Sequence, residues 1–269
     1  MIRAVLFDID DTLLDFDPEG APRAFSLGAR RTYDYLKGRE LPVPSFKTFF
    51  RTHRMLAWRM KWLARVSGRE QSVRHVLRKL CLKLKLQRDE VSLARLGWLW
   101  YEPIVECASV AADVVPTLKA LRDGGLKLGI ICNTPLQGDV IDQHLKLEGL
   151  FDFFPIRIYS SDVGHRKPDA RIFKAALHEL NVAADETVYV GDMIKTDIAG
   201  ALKAGMRTVY RRKVANGPDC DLADHTISAI AELLKLPMIQ NALKPLQPSS
   251  ANARSSVSTP RLHQRTHVA

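Results

Sequence analysis

Ala4-Val5-Leu6-Phe7-Asp8-Ile9-Asp10-Asp11-Thr12-Leu13 runs four apolar residues straight into three carboxylates. A short apolar run without polar alternation reads as a strand covered on both faces, which is the habit of a parallel sheet. In open α/β sheets ligands bind at the carboxyl ends of such strands, and here that end is acidic. Side chains one residue apart share a direction only while the strand stays extended, so Asp8 and Asp10 share a pocket only if the chain turns after Asp8. Otherwise these acids simply close a strand and cap the next element.

Working outward, similar runs recur at Leu126–Ile131, Ile156–Tyr159, Thr187–Val190 and Arg207–Tyr210, separated by segments of helical period. That alternation predicts βαβ units and a Rossmann-like parallel sheet covered by helices. Residues 18–110 have another texture. Apolar residues recur there at three- and four-residue steps, at Phe46, Phe49, Leu56, Met60 and Leu63, then at Val73, Val76, Leu77, Leu80 and Leu84. The expected organisation is an α/β core over 1–15 and 111–238 with an all-helical insert over 16–110. Within the helix expected around Pro44–Val66, Lys47, Arg51, Arg54, Lys61 and Arg65 form a basic stripe beside Trp58, read as a solvated face with arginine stems over the indole. His53 falls on the apolar stripe and is expected to be packed and hydrogen-bonded.

A chain of 269 residues with 46% hydrophobic and 26% charged side chains can bury a sizeable core, which excludes wholesale disorder. No apolar run approaches the roughly 18 residues of a membrane span, and Asp8 interrupts the first run too early for a signal peptide. Cys81, Cys107, Cys132 and Cys220 lie far apart, which gives neither a zinc site nor a disulfide framework and suits a reducing cytoplasm. The net charge of +10 is uneven: Lys47 to Arg95 holds fourteen Lys/Arg against three acids. From Lys244 onward the chain is rich in Pro, Ser and Arg, and residues 239–269 are expected to form a disordered basic tail.

Three later features bear on the acidic strand end. Leu128-Gly129-Ile130-Ile131-Cys132-Asn133-Thr134 ends a strand in small polar groups, and Pro135 is expected to open a helix whose free N–H groups could hold a phosphate. Lys167 precedes Pro168, expected to start the next helix, so its ammonium can lean over the sheet end. Val188-Tyr189-Val190-Gly191-Asp192-Met193-Ile194-Lys195-Thr196-Asp197 ends a strand with Gly-Asp and adds a second acid near a helix start.

In this order the motifs resemble the haloacid dehalogenase superfamily: Asp8-Ile9-Asp10-Asp11-Thr12, Lys167-Pro168-Asp169, and Gly191-Asp192 through Asp197. The insert resembles that family's C1-type cap. The resemblance implies a Mg²⁺-dependent phosphatase acting on a small anionic phosphoester through an aspartyl-phosphate. It makes Asp8 the nucleophile, Asp10 the acid and base, and Lys167 the neutraliser of developing charge. The metal would be held by Asp8, Asp192 and the Asp10 main-chain carbonyl, with Asp197 at the metal site holding a metal-bound water or orienting Lys167. Thr12, Cys132, Asn133 and Thr134 are the candidate substrate-binding residues. Cys132 stands where the family pattern has Ser or Thr, and a thiol is the weaker donor, so Thr134 or backbone N–H groups are the expected substitutes. The cap would close over the site, exclude water and read the leaving group, its positive charge steering an anion. Asp10 would need a raised pKa while Asp8 stays ionised, a separation expected from like charges sharing a site. A phosphomutase would use the same residues. A basic nucleic-acid-binding or adaptor module is the rival from another class, but the acidic site argues against nucleic acid as the partner.

Overall fold

The computed structural model describes residues 1–17, 19–70, 72–74, 90–213 and 219–243. The chain begins with β1 (Ala4–Phe7) and, after β2 (Asp15–Phe16), enters helices α1 (Ala21–Gly38), α2 (Phe46–Ser67) and α3 (Glu90–Val105). It returns through β3 (Ala108–Ser109), which pairs antiparallel with β2, so the two passages between sheet and helical insert run side by side. The core is then completed by α4 (Val114–Asp123), β4 (Lys127–Cys132), α5 (Gly138–Leu147), β5 (Ile156–Tyr159), α6 (Ala170–Leu180), β6 (Thr187–Gly191), α7 (Ala199–Lys203), β7 (Arg207–Arg211), β8 (His225–Ile227) and α8 (Pro237–Gln240).

Six strands form one parallel sheet in the order β5-β4-β1-β6-β7-β8. The architecture is a Rossmann-like α/β core with a helical insert. The chain builds outward from β1 through β4 and β5, then crosses back to place β6 on the other side of β1. That reversal opens a crevice beyond the carboxyl ends of β1, β4 and β6.

Strand alternation explains why β1 carries no polar residue. Val5 and Phe7 point into one layer with Leu118, Ile130, Leu145 and Val190, whereas Ala4 and Leu6 point into the other with Ile172, Phe173 and Tyr189. Fully burying a side chain such as Phe7 contributes about 1.5–3 kcal/mol, so every residue of the strand holds the sheet between its helices. In the insert, Tyr33, Leu36, Phe49, Leu93 and Leu96 form a separate small core, and Arg31 on α1 pairs with Glu102 on α3 at 2.8 Å and with Glu106, just past its end, at 3.0 Å.

Several expected boundaries move. β2, β3 and β8 are two or three residues long, too short to show a period. Pro135 does not open a helix, because α5 begins at Gly138. Pro168 does not start α6 either: the Asp169 carboxylate accepts the Arg171 N–H at 2.9 Å and caps a helix beginning at Ala170, and the Lys167–Pro168 peptide is cis. Packed structure continues past the expected boundary at 239, with Ile239 fully buried and Leu243 against the core. The tail after Leu243 and the periodic residues Val76–Leu84 lie outside the described residues. The basic stripe of α2 is exposed, but Trp58 is not covered by it, being 68% exposed. No helix among the described residues is long and apolar enough to cross a membrane.

Helices α1 and α3 meet at Gly28, where a Cβ would lie 2.1 Å from the Trp100 carbonyl oxygen. Replacing a helical glycine by alanine ordinarily gains about 1 kcal/mol. Gly28→Ala is expected instead to lose about 1–3 kcal/mol in urea denaturation, because backbone cannot move aside as a side chain can. A stabilised variant would show that the two helices part freely.

Candidate active site

The chain does turn after β1. The Ile9 carbonyl accepts from the N–H groups of Thr12, Leu13 and Leu14 at 3.2, 2.8 and 3.0 Å, and Asp11 takes the left-handed conformation with φ 55°. Asp is among the few non-glycine residues that tolerate that region. Arg211, at the end of β7, fixes the turn from outside. Its guanidinium donates to the Asp11 carbonyl at 2.6 Å and forks onto the Asp15 carboxylate at 2.6 and 3.1 Å. Lys213 pairs with the Asp11 carboxylate.

The ends of β1 and β6 converge on Lys167, which is 2% exposed. Its ammonium lies 2.7 Å from Asp8 and 2.7 Å from Asp197, and donates to the Tyr189 hydroxyl at 2.9 Å. Asn133, just beyond β4, holds the lysine's backbone from both sides: its amide donates to the Lys167 carbonyl at 3.0 Å and its oxygen accepts the Lys167 N–H at 2.7 Å. Asp197 is aimed by the Met193 N–H, which donates to its other oxygen at 2.9 Å, and by Gly191, where a Cβ would meet the Asp197 Cβ at 2.6 Å. Only glycine lets strand and carboxylate approach so closely. Asp8, Asp192 and Asp197 thereby offer one oxygen each within 4.8 Å of one another.

Four carboxylates share one buried lysine. Burial raises Asp8 well above the ordinary carboxylate range; Lys167 opposes that, and Asp197 and Asp10 add to it. The contact with Lys167 at 2.7 Å is what favours the ionised form of Asp8 against that burial. Burial also pushes Asp192 up to about 7, reinforced by Asp197 and Asp11 and opposed by Lys167. Asp10 is exposed to water at the cleft, yet the protein massed around it raises it to about 6, with Lys167 opposing and Asp11 and Asp197 adding. The principal cause is therefore desolvation, where repulsion between carboxylates was expected. Burial alone would pull Lys167 down, but Asp197 and Asp8 at contact outweigh it and keep the ammonium charged. Such crowding of oxygen ligands suits a hard divalent cation, which would supply the positive charge one lysine cannot.

The expected substrate-binding residues fare differently. Asn133 spends both ends of its side chain on Lys167. Thr134 is buried, its N–H donated to the Ser160 hydroxyl at 2.9 Å and its hydroxyl accepting from the Leu136 N–H at 3.1 Å, so its backbone donor is not free for an anion. Thr12 is fully buried, with its hydroxyl lacking a hydrogen-bond partner among the described residues. Cys132 is buried, and burial, Asp10 and Asp8 push its thiol well up; a buried neutral thiol is a poor nucleophile. Sequence reading passed over Tyr189 and Arg211. A tyrosine amid valines must find a partner for its hydroxyl, a signal that could have been used. Nothing in the sequence links Arg211 to Asp15.

Fold and site together define the class: the chain belongs to the haloacid dehalogenase-like hydrolases, matching that family over residues 2–205. Its relatives include a glyceraldehyde 3-phosphate phosphatase of Methanopyrus kandleri, 39% identical over 129 residues that cover 45% of this chain and 54% of that protein. A ribulose-1,5-bisphosphate 5-phosphatase of Halopiger xanaduensis is 29% identical over 248 residues, 88% of this chain and 99% of that protein. The chain thus spans about half the length of the Methanopyrus relative and nearly all of the second. Among solved structures, a 2-haloacid dehalogenase from Pseudomonas syringae pv. Tomato DC3000 superposes with a TM-score of 0.62 at 26% identity, covering 90% of this chain and 99% of the other. A HAD phosphatase from Thermococcus onnurineus gives 0.56 at 28% identity, covering 87% and 97%.

The value of about 7 for Asp192 lies above its ordinary 3.8, so the folded protein binds that proton first. Stability is gained as pH falls from 7 toward 4 and lost as pH rises through 7. In EDTA at pH 8, Asp192→Asn is expected to exceed the wild type by about 1–2 kcal/mol, a figure reduced for the water that the half-buried carboxylate still meets. The gap should close by pH 4. A variant no more stable than wild type at pH 8 would show that burying the charged Asp192 carboxylate costs the fold nothing.

Proposed function

We propose that the protein is a phosphatase that cleaves a small phosphorylated metabolite by transferring the phosphoryl group to Asp8. The observation that carries this reading is the buried ammonium of Lys167 at 2.7 Å from both Asp8 and Asp197, with Asp192 completing a set of three carboxylates. A nucleophilic carboxylate and a phosphate dianion repel each other, and this arrangement places positive charge where the two must meet. The oxygens of Asp8, Asp192 and Asp197, with the Asp10 main-chain carbonyl, would hold Mg²⁺, which supplies further neutralising charge when bound.

In the first step an Asp8 oxygen attacks phosphorus as the bond to the leaving oxygen breaks, and protonated Asp10 gives its proton to that oxygen. Lys167 stabilises the charge on the phosphoryl oxygens. In the second step Asp10, now a base, takes a proton from the water that attacks phosphorus, and Asp8 departs as carboxylate. Asp197, held by Met193 and Lys167, keeps the ammonium oriented in both steps. Asp10 also separates this reading from dehalogenation. A halide leaves without a proton, whereas an alkoxide needs one, and the raised pKa of Asp10 suits a donor.

Phosphoester hydrolysis with Mg²⁺ is expected to release free phosphate, which distinguishes a phosphatase from a mutase returning an isomeric ester. Asp8→Asn should fall below about 10⁻³ of wild-type turnover and EDTA should silence the wild type. Undiminished hydrolysis in either case would reject the mechanism. At pH 7.5, Mg²⁺ should raise the melting temperature of the wild type and leave that of Asp192→Asn unchanged. An equal rise in both would place the ion elsewhere.

A further inference from the structure

Between the helical insert and the core lies a cavity of about 590 Å³. Its core-side wall is Asn133, Pro135 and Arg166, which adjoin the segment carrying Lys167: Arg166 precedes it in the chain and Asn133 holds its backbone. The rest of its lining comes mostly from α1, α2 and α3. Phe25 stacks on His53 with centroids 5.1 Å apart and planes 9° apart, and Trp100 stands edge-on to both at 5.8 Å. Phe49, Leu56 and Met60 complete the apolar wall.

Apart from Lys61, which is exposed to solvent, the polar groups of this lining are largely committed. The hydroxyls of Thr32 and Thr52 donate to carbonyls of their own helices, Gly28 at 2.8 Å and Thr48 at 2.9 Å. Both ends of the Asn133 amide are taken by Lys167, and Glu70 accepts from the Ser160 hydroxyl at 2.9 Å with Arg166 at 3.8 Å. Two buried nitrogens remain without a hydrogen-bond partner among the described residues, His53 Nδ1 and Trp100 Nε1. Both lie beneath the cavity surface, so neither offers a hydrogen bond to a molecule inside it. A sugar phosphate entering here would bury several hydroxyls against few free partners. A flat hydrocarbon body would instead lie against the Phe25, His53 and Trp100 rings and leave few hydrogen-bonding groups unpaired.

We infer that this cavity seats the leaving group, and that the substrate is a phosphomonoester with a bulky apolar or aromatic body carrying at most one or two hydrogen-bonding groups besides the phosphate. This rests on the phosphatase reading and narrows it, away from the small sugar phosphates, which carry no bulky apolar body, in the names of the two relatives above. His53, on which the ligand would lie, stays neutral, because burial lowers it to about 4.

The test compares 1-naphthyl phosphate with glycerol 3-phosphate as substrates of the Mg²⁺-loaded protein. The expected kcat/KM ratio is at least about tenfold in favour of the naphthyl ester. Ala57→Trp, which fills the cavity from α2, should collapse that ratio to within about twofold. As a check independent of turnover, 1-naphthol is titrated calorimetrically into Asp8→Asn protein, where binding is expected and should vanish when Ala57→Trp is added; thermal melting of each variant verifies that it is folded. Comparable rates for the two esters with no naphthol binding would overturn the inference and leave the phosphatase reading intact. Hydrolysis of neither ester alongside naphthol binding that Ala57→Trp removes would count against the phosphatase reading while upholding the cavity's preference for an apolar body.

Discussion

One buried ammonium holds the ends of two distant strands together. Asp8 arrives from β1 and Asp197 from the turn after β6, and Lys167 touches both at 2.7 Å. Removing either partner of a buried ion pair leaves an uncompensated charge, which is far more costly than the pair itself is favourable. Much of the surrounding structure serves to keep that lysine in place. Asn133 clasps its backbone, Tyr189 accepts from its ammonium, and Phe173 holds the Tyr189 ring edge-on at 5.2 Å. Gly191 contributes by absence, since any side chain there would push Asp197 away. The raised carboxylates record a fold that buries acidic groups at its site, at a cost in stability to which their mutual repulsion adds.

The sheet and the acidic strand ends were legible because their signals are local. An unbroken apolar run needs two covering layers, and a motif such as Gly191-Asp192 through Asp197 lies within one strand and turn. Helix starts were less legible at Pro135 and Pro168. Proline marks where a helix cannot have begun earlier, but capping decides where it does begin, and at Asp169 the deciding group is a side-chain carboxylate. The role of Asn133 was hidden for a different reason. Its residue type suggests a ligand contact equally well, and only the fold reveals that its amide is spent on a backbone 34 residues away. Arg211 and Asp15, 196 residues apart, were invisible for the same reason.

Charge and greasiness divide the molecule between two tasks. The sheet end concentrates acids around one lysine and suits phosphoryl chemistry irrespective of what the phosphate is attached to. The insert contributes aromatic and aliphatic walls, with its arginines turned outward to solvent on α2. The described basic residues Lys47, Arg51, Arg54 and Arg65 of α2 thus face solvent, where they steer anions more than they select them. Joined by the short β2–β3 pairing and the chain beside it, the two parts share the cavity between them.

The proposal that Asp8 receives phosphorus is the point on which the chemistry turns, and it is open to direct observation. Protein mixed with a phosphoester and Mg²⁺, quenched in acid within milliseconds and digested, should yield a phosphoryl adduct that fragmentation mass spectrometry assigns to Asp8. An adduct on Cys132 or another residue, or turnover with none on Asp8 at any quench time, would contradict the mechanism.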